Sequence, residues 1–353
     1  MLFLGENNKK PYFRSILNRT SFYGGYIVNL ILLSGGSGKR LWPLSNETRS
    51  KQFLKVFTRK DGTRESMLQR TFRMLCDVDK DVSVTIAASE SQAVSIRNQI
   101  GDSVGISIEP CRRDTFPAIA LATAYLHDVQ GIDLNKAVVV CPVDSYVEAE
   151  YYERLLKLEK MAEKGEANLV LMGIEPTCPS EKYGYIIPKT SDQISEVIEF
   201  KEKPDASAAK EYITQGALWN AGVFAYKLKY ILNIAEKIFG NSSYKGLLDN
   251  YTELAQISFD YAVAEKEKKI QVLRYRGKWK DLGTWNSLTE AMDDEISGNA
   301  AAYLCENTHV INETQIPLVA LGVKNLAIVA TPNGILITEK NASDKLKEYV
   351  VNL

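Results

Sequence analysis

Short apolar, β-branched runs alternate with stretches of helical periodicity through the first half of the chain. Runs at 28–33, 82–87, 106–108, 137–141 and 169–174 predict buried strands. Between them the spacing predicts helices over 66–75, over 117–127 with Pro117 in the first turn, and over 151–164. In the last of these Leu155, Leu156, Leu158 and Met161 share roughly one face, and Gly165 follows as a stop. Strands that alternate with helices predict an α/β fold: a Rossmann-like, mixed but mostly parallel sheet flanked by helices. From about Tyr183 the texture changes. Strands are expected at 183–188, 196–200, 219–226 and 272–275, and a short helix at 207–215 ends at Gly216. Ser258 reads as the N-cap of a helix containing 260–266, and Thr284 as the N-cap of another running to about 292. After Ser297 the chain is strand-rich, clearest at 327–330 and 334–338, before a charged helical tail at 343–351.

The sequence turns polar and small near 294–299, which sets the expected boundary between a main domain (28–296) and a small β-rich C-terminal domain (297–353). Residues 1–27 stand apart. They are basic, with Lys9, Lys10, Arg14 and Arg19, show no apolar periodicity, and lack the central apolar block of a secretory signal. The expectation is a disordered leader or an artefact of start-site choice, with translation beginning at Val28 from a non-standard start codon; an organelle transit peptide is the weaker alternative.

Composition narrows the classes. A formal net charge of −1 provides no basic field for a nucleic-acid backbone, so nucleic acid is not expected as a partner. The five cysteines are scattered and form no CxxC pair, which argues against a disulfide framework or a zinc site. His127 and His309 are too few for a histidine-based metal site. No apolar run reaches the ~18 residues of a membrane span, so no membrane association is expected. A reducing cytoplasm is the expected compartment, and a homo-oligomer is left open.

The strongest chemical signal is the run from Leu33 and Ser34 through Gly35, Gly36, Ser37 and Gly38 to Lys39 and Arg40. A strand that empties into a glycine-rich loop with two cations is suited to cradle phosphates. It is neither a Walker loop nor a dinucleotide fingerprint, since the spacing fails and Arg40 stands where a magnesium-binding Ser or Thr would be. Asp144 follows the 137–141 strand, at the end where α/β sheets gather ligands. It reads either as a carboxylate for Mg²⁺ or as a turn cap. Asp281, flanked by Trp279 and Trp285, reads either as a second metal carboxylate or as a helix-start residue. Glu202 and Lys203 close a strand before Pro204; they suit a sugar hydroxyl and a phosphate, or form a solvated charge run. Lys51 is a further cation near the glycine loop, or a surface lysine. Asn220 and Gly222 interrupt an apolar strand, and Gly184 breaks another, as positions where a polar ligand approaches closely would.

Taken together these motifs resemble the sugar-nucleotide pyrophosphorylases, and among them the mannose-1-phosphate guanylyltransferases. The likeness rests on 35–45, on Lys51-Gln52-Phe53-Leu54, on Glu109-Pro110 through Thr115, and on 200–204, 219–224, 258–262 and 279–285. It runs from about Asn29 to Leu353. It implies the nucleotide-diphospho-sugar transferase type of fold and Mg²⁺-dependent transfer of GMP from GTP to mannose 1-phosphate. Leu33, Ser34, Gly35, Gly36, Gly38, Lys39, Arg40, Glu109, Arg113, Asp114 and Thr115 would then bind the nucleotide. Asp144 and Asp281 would hold Mg²⁺. Gly184, Glu202, Lys203 and Asn220 would bind the sugar phosphate, and Arg40, Lys51, Asp144, Lys203 and Asp281 would carry the catalysis. The chain departs from the family pattern at Ser145 (usually His), Asp114 (usually Asn) and Phe116 (usually Ala). Another sugar 1-phosphate or nucleotide, and a non-catalytic sugar-nucleotide-binding regulator, are the alternative readings.

Overall fold

The computed structural model describes residues 27–36, 39–46 and 49–350; the leader expected at 1–27 therefore lies outside the described residues, Ile27 excepted. Nine strands form one mixed sheet among the described residues. In chain order they are β1 (Asn29–Leu33), β2 (Ser83–Ser89), β3 (Gly105–Glu109), β4 (Ala137–Pro142), β5 (Leu169–Ile174), β6 (Tyr185–Pro188), β7 (Ile194–Lys201), β8 (Leu218–Lys227) and β9 (Ile270–Tyr275). Their order across the sheet is β3-β2-β1-β4-β8-β5-β9-β7-β6, with an extra pairing of β6 to β8. The ladders β1–β2, β1–β4, β2–β3 and β5–β9 are parallel, whereas β8 is antiparallel to both β4 and β5. All strands but β7 and β8 run the same way, the mostly parallel sheet that the alternation of strands and helices predicts.

Alternation along each strand divides the core into two layers. Leu30, Leu32, Val139 and Cys141 face the helices Met67–Val78, Glu90–Ile100 and Ala149–Lys164. Ile31, Val138 and Val140 face Thr115–Asp128, Leu228–Phe239 and Tyr244–Asp249. Burying each such side chain contributes roughly 1.5–3 kcal/mol, so a shift of one residue in register would exchange the two layers at large cost.

Several elements depart from the sequence expectation. Glu90–Ile100 carries only Gln92, Ala93 and Ile96 buried and gives little periodic signal. Leu228–Phe239 follows β8 without an intervening loop; it is an amphipathic helix, burying Leu228, Ile231, Leu232 and Ala235, where no element is expected above. The helix expected after Ser258 is a five-residue π-turn, Asp260–Ala264, although Ser258 Oγ does accept from Tyr261 N at 3.3 Å. The helix capped by Thr284 stops at Thr289. The charged tail is a 3₁₀ segment, Lys340–Lys345, followed by Leu346–Tyr349; Val351 lies outside the described residues.

The C-terminal region is β-rich. Ile296–Gly298, His309–Asn312 and Leu326–Thr331 pair in parallel, Gly334–Glu339 adds an antiparallel edge, and Ala300–Tyr303 pairs with Leu318–Leu321. Its residues Ile311, Ala327, Val329 and Leu336 share a core with Leu41, Leu44, Leu54, Val56 and Trp285. The segment just after the glycine loop is thus roofed by the far end of the chain. Trp285 Nε1 donates to Trp42 O at 3.2 Å, and Arg49 meets Glu313 through two hydrogen bonds of 2.6 and 2.8 Å. Gly334 lies against the Trp42 indole: a Cβ there would collide with the ring.

Candidate active site

The sheet topology gathers the chemistry on one edge. Leu33, Glu109 and Pro142 end parallel strands there, and β8, running the opposite way, brings its beginning, Trp219 and Asn220, to the same edge. Beyond β1, Ser34 N donates to Ala87 O at 3.0 Å, and Gln52 Nε2 donates to Ser34 O at 2.5 Å and to Ser34 Oγ at 3.0 Å. The glycine loop therefore leaves from a fixed point. Gly35 and Gly36 are exposed, and Gly36 has φ 112°, a conformation that favours glycine. Gly38 and the side chain of Lys39 lie outside the described residues.

Asp144 and Asp281 are neighbours. The short strands Ser145–Val147 and Trp279–Asp281 pair antiparallel with Asp281 opposite Ser145, and Leu282 N donates to Asp144 O at 3.3 Å. Lys51 heads the single turn Lys51–Phe53 and is buried; its Nζ lies 2.7 Å from Asp144 Oδ2 and 3.8 Å from Asp281 Oδ1. A Cβ on Gly283 would touch the Asp281 carboxylate at 3.1 Å and Arg40 Nη1 at 3.4 Å, so the Arg40 guanidinium borders the same spot. Burial pushes the Asp281 carboxyl up, Lys51 pulls it down, Asp144 pushes it up again, and it ends above the usual range. For Lys51 burial acts downward, but Asp144 and Asp281 outweigh it and raise the ammonium above its usual value. Among the described residues no group of three His, Cys, Asp or Glu side chains is placed to hold a metal.

A second cluster holds Gly184, Glu202, Lys203, Asn220 and Asp260. Lys203 Nζ meets Glu202 Oε1 at 2.5 Å, Asn220 Nδ2 donates to Asp260 Oδ1 at 2.6 Å, and Asn220 N donates to Gly184 O at 2.8 Å. Glu202 Oε2 is buried without a hydrogen-bond partner and lies where a side chain on Gly184 would begin, 2.5 Å from the ideal Cβ. Tyr183, Trp219 and Trp279 join the clusters, with the Tyr183 ring centroid 4.9 and 5.3 Å from those of the two indoles. Burial and the Asp281 charge push Tyr183 up to about 12, so it stays a neutral phenol.

At the end of β3, Glu109 Oε2 accepts from Tyr251 OH at 2.8 Å, and burial raises the carboxyl above its usual value. Asp114, at φ 69°, accepts from Thr115 N at 2.7 Å, and Thr115 Oγ1 accepts from Phe259 N at 2.8 Å. Both oxygens are thus engaged with backbone, and the 109–115 segment is tied to the turn that carries Asp260. The Arg113 Nε is buried and unpartnered. Three residues here carry no role in the sequence expectation: Asp260, which lies in the 258–262 run but reads as part of a helix; Gln52, which lies in the motif beside Lys51; and Glu313, whose pairing with Arg49 spans most of the chain. Glu313 alone lies in none of the runs that carry the resemblance.

The model of the family described as nucleotidyl transferase matches residues 29–298. The xanthan biosynthesis protein XanB of Xanthomonas campestris pv. campestris is 32% identical over 347 residues, which make up 91% of this chain and 72% of that protein. A mannose-1-phosphate guanylyltransferase of Escherichia coli is 30% identical over 352 residues, again 91% of this chain and 72% of the relative. A Thermus thermophilus crystal structure, described as mannose-1-phosphate geranyltransferase, superposes with a TM-score of 0.75 at 28% identity and covers 92% of this chain and 98% of its own. A UDP-glucose pyrophosphorylase bound to UDP-glucose shares the fold, with a TM-score of 0.54 at 16% identity, covering 75% of this chain and 97% of its own.

Proposed function

We propose, from the premise that this chain belongs to the nucleotidyl transferase family and is an enzyme of that class, that it transfers GMP from GTP to α-D-mannose 1-phosphate, giving GDP-mannose and pyrophosphate. The observation that carries the reading is the meeting of Asp144 and Asp281 with Lys51 and Arg40 beside the glycine loop. A phosphate oxygen of the sugar phosphate forms a bond to the α-phosphorus of GTP as the bond to the β-phosphate oxygen breaks. The attacking oxygen is already an anion, so no strong general base is required. The protein has to align two polyanions and offset their charge.

The residues divide that work. Ser34, Gly35, Gly36 and Arg40, with Gly38 and Lys39, hold the triphosphate, and Glu109, Arg113, Asp114 and Thr115 border the base. Lys203 meets the sugar phosphate, while Glu202, Asn220 and the backbone of Gly184 read sugar hydroxyls. Lys51 holds the two aspartates together and oriented. Two hard carboxylate oxygens side by side, one held above its usual pKa by burial and by its neighbour, suit Mg²⁺, which Asp144 and Asp281 would hold and which would neutralise phosphate charge. The scattered cysteines, with no CxxC pair, support the cytoplasm as its compartment.

A panel of nucleoside triphosphates against hexose and heptose 1-phosphates, followed by pyrophosphate release, tests the proposal. The highest kcat/KM is expected for GTP with mannose 1-phosphate. A better pair would replace the substrates, and nucleotide binding without pyrophosphate release from any pair would favour a regulatory binding protein.

A further inference from the structure

The turn Asp260–Ala264 places an acid where the proposed chemistry has given it no task. Asp260 Oδ1 accepts from Asn220 Nδ2 at 2.6 Å, and Asn220 Oδ1 accepts from Gly222 N at 3.0 Å. These two bonds fix which end of the Asn220 amide is which. A flipped amide would set its N–H₂ against the Gly222 N–H and its carbonyl oxygen against the carboxylate. One N–H and one lone pair of Asn220 remain for a ligand hydroxyl. Beside them the buried Glu202 Oε2 has no donor, a costly state that a hydroxyl would relieve.

We propose that Asp260 is a positioning residue of the sugar-phosphate subsite, setting affinity for the sugar 1-phosphate by holding the Asn220 amide in one orientation. This rests on the assignment of Glu202, Lys203 and Asn220 to that subsite. Glu202 and Lys203 face Asp260 from the end of β7, Asn220 faces it from β8, and Tyr261 and Glu265 accompany it on its own turn. Burial, and then the Glu202 charge, raise Asp260 to about 7. Near neutrality the subsite therefore exchanges a neutral carboxyl for a second anion beside Glu202, which opposes an incoming phosphate.

Steady-state kinetics test this with whichever sugar 1-phosphate the wild type uses best. Asp260→Ala is expected to raise KM for the sugar phosphate about tenfold, as loss of one hydrogen bond would, with kcat and KM for the triphosphate nearly unchanged. Asp260→Asn keeps an acceptor for Asn220. It is expected to restore most of that affinity and to flatten the rise in sugar-phosphate KM expected of the wild type between pH 6 and 8. An unchanged sugar-phosphate KM in Asp260→Ala, a parallel rise in both KM values, or no recovery in Asp260→Asn would overturn the proposal. Should the alanine variant not fold, the pH profile of Asp260→Asn decides: one that matches the wild type refutes the role. Failure of the mannose reading shows separately, in the wild-type panel; a wild type that takes no sugar 1-phosphate refutes both.

Discussion

Lys51 Nζ sits 2.7 Å from Asp144 Oδ2 and reaches Asp281 Oδ1 at 3.8 Å, so one buried ammonium holds two carboxylates together. Lys51 and a divalent ion would compete for the same oxygens. Lys51→Met should lower turnover at least ~100-fold, the scale of losing a well-placed electrostatic group, and should enlarge the rise in melting temperature produced by MgCl₂. Asp281→Asn should lower turnover by a similar factor and abolish that rise while leaving the fold intact. A MgCl₂ shift in Asp281→Asn equal to the wild type's, read by thermal denaturation, would remove Asp281 from the metal site.

Arg49 and Glu313 make two hydrogen bonds across the join between the loop segment and the C-terminal strands, yet both side chains are partly exposed. Pairs of this kind contribute at most ~1 kcal/mol to stability. Their larger effect is expected on the placement of Lys51, two residues along the chain. Glu313→Ala should lower kcat roughly tenfold with little change in melting temperature, because small displacements at a reacting centre are expensive. The swapped pair, Arg49→Glu with Glu313→Arg, should recover part of the loss. A double variant no better than the single ones would show that the pairing itself does not matter.

Gly184→Ala is a steric test of the sugar subsite. The added methyl would meet Glu202 Oε2 at 2.5 Å and Phe200 Cζ at 3.1 Å, and Glu202 must move. The expected outcome is a KM for the sugar phosphate raised about tenfold, with a stability loss of about 1–3 kcal/mol from overpacking. Differential scanning calorimetry and initial rates together check it; a normal KM would place Glu202 outside the subsite.

Asp260 also leaves a signature in stability. Its folded pKa, about 7, lies above the unfolded carboxylate value, so the folded state favours the proton. The associated stability is complete below the unfolded pKa and is lost as pH rises through 7. Asp260→Asn lacks that loss and should gain on the wild type by a few degrees in melting temperature between pH 5 and 8. A difference independent of pH would show that Asp260 is not the titrating group.

Much of the fold was legible because strands such as 169–174 are continuous apolar runs, and because Ala149–Lys164 is amphipathic with a glycine stop. The helices Glu90–Ile100 and Leu228–Phe239 went unassigned: the first lacks periodicity, while the second has apolar residues at helical spacing but runs straight on from a strand. Candidate site residues were legible where chain order announces them, as at Leu33–Gly36 and Asp144. The convergence of Asp281 with Asp144 depends on a two-stranded ladder between segments far apart in sequence. The Asn220–Asp260 bond depends on β8 running against its neighbours. Neither relation has a local sequence signal, since each is decided by strand pairing.

The shared packing of Leu41 and Leu44 with Val329 and Leu336 also bears on biosynthesis. A ribosome that has released only the sheet and its helices has made nearly every acid and base named above. The indole of Trp42 would still wait, uncovered, for the strand beginning at Gly334. Competence should therefore wait until Leu326–Thr331 and Gly334–Glu339 have emerged, and should not build up gradually during translation.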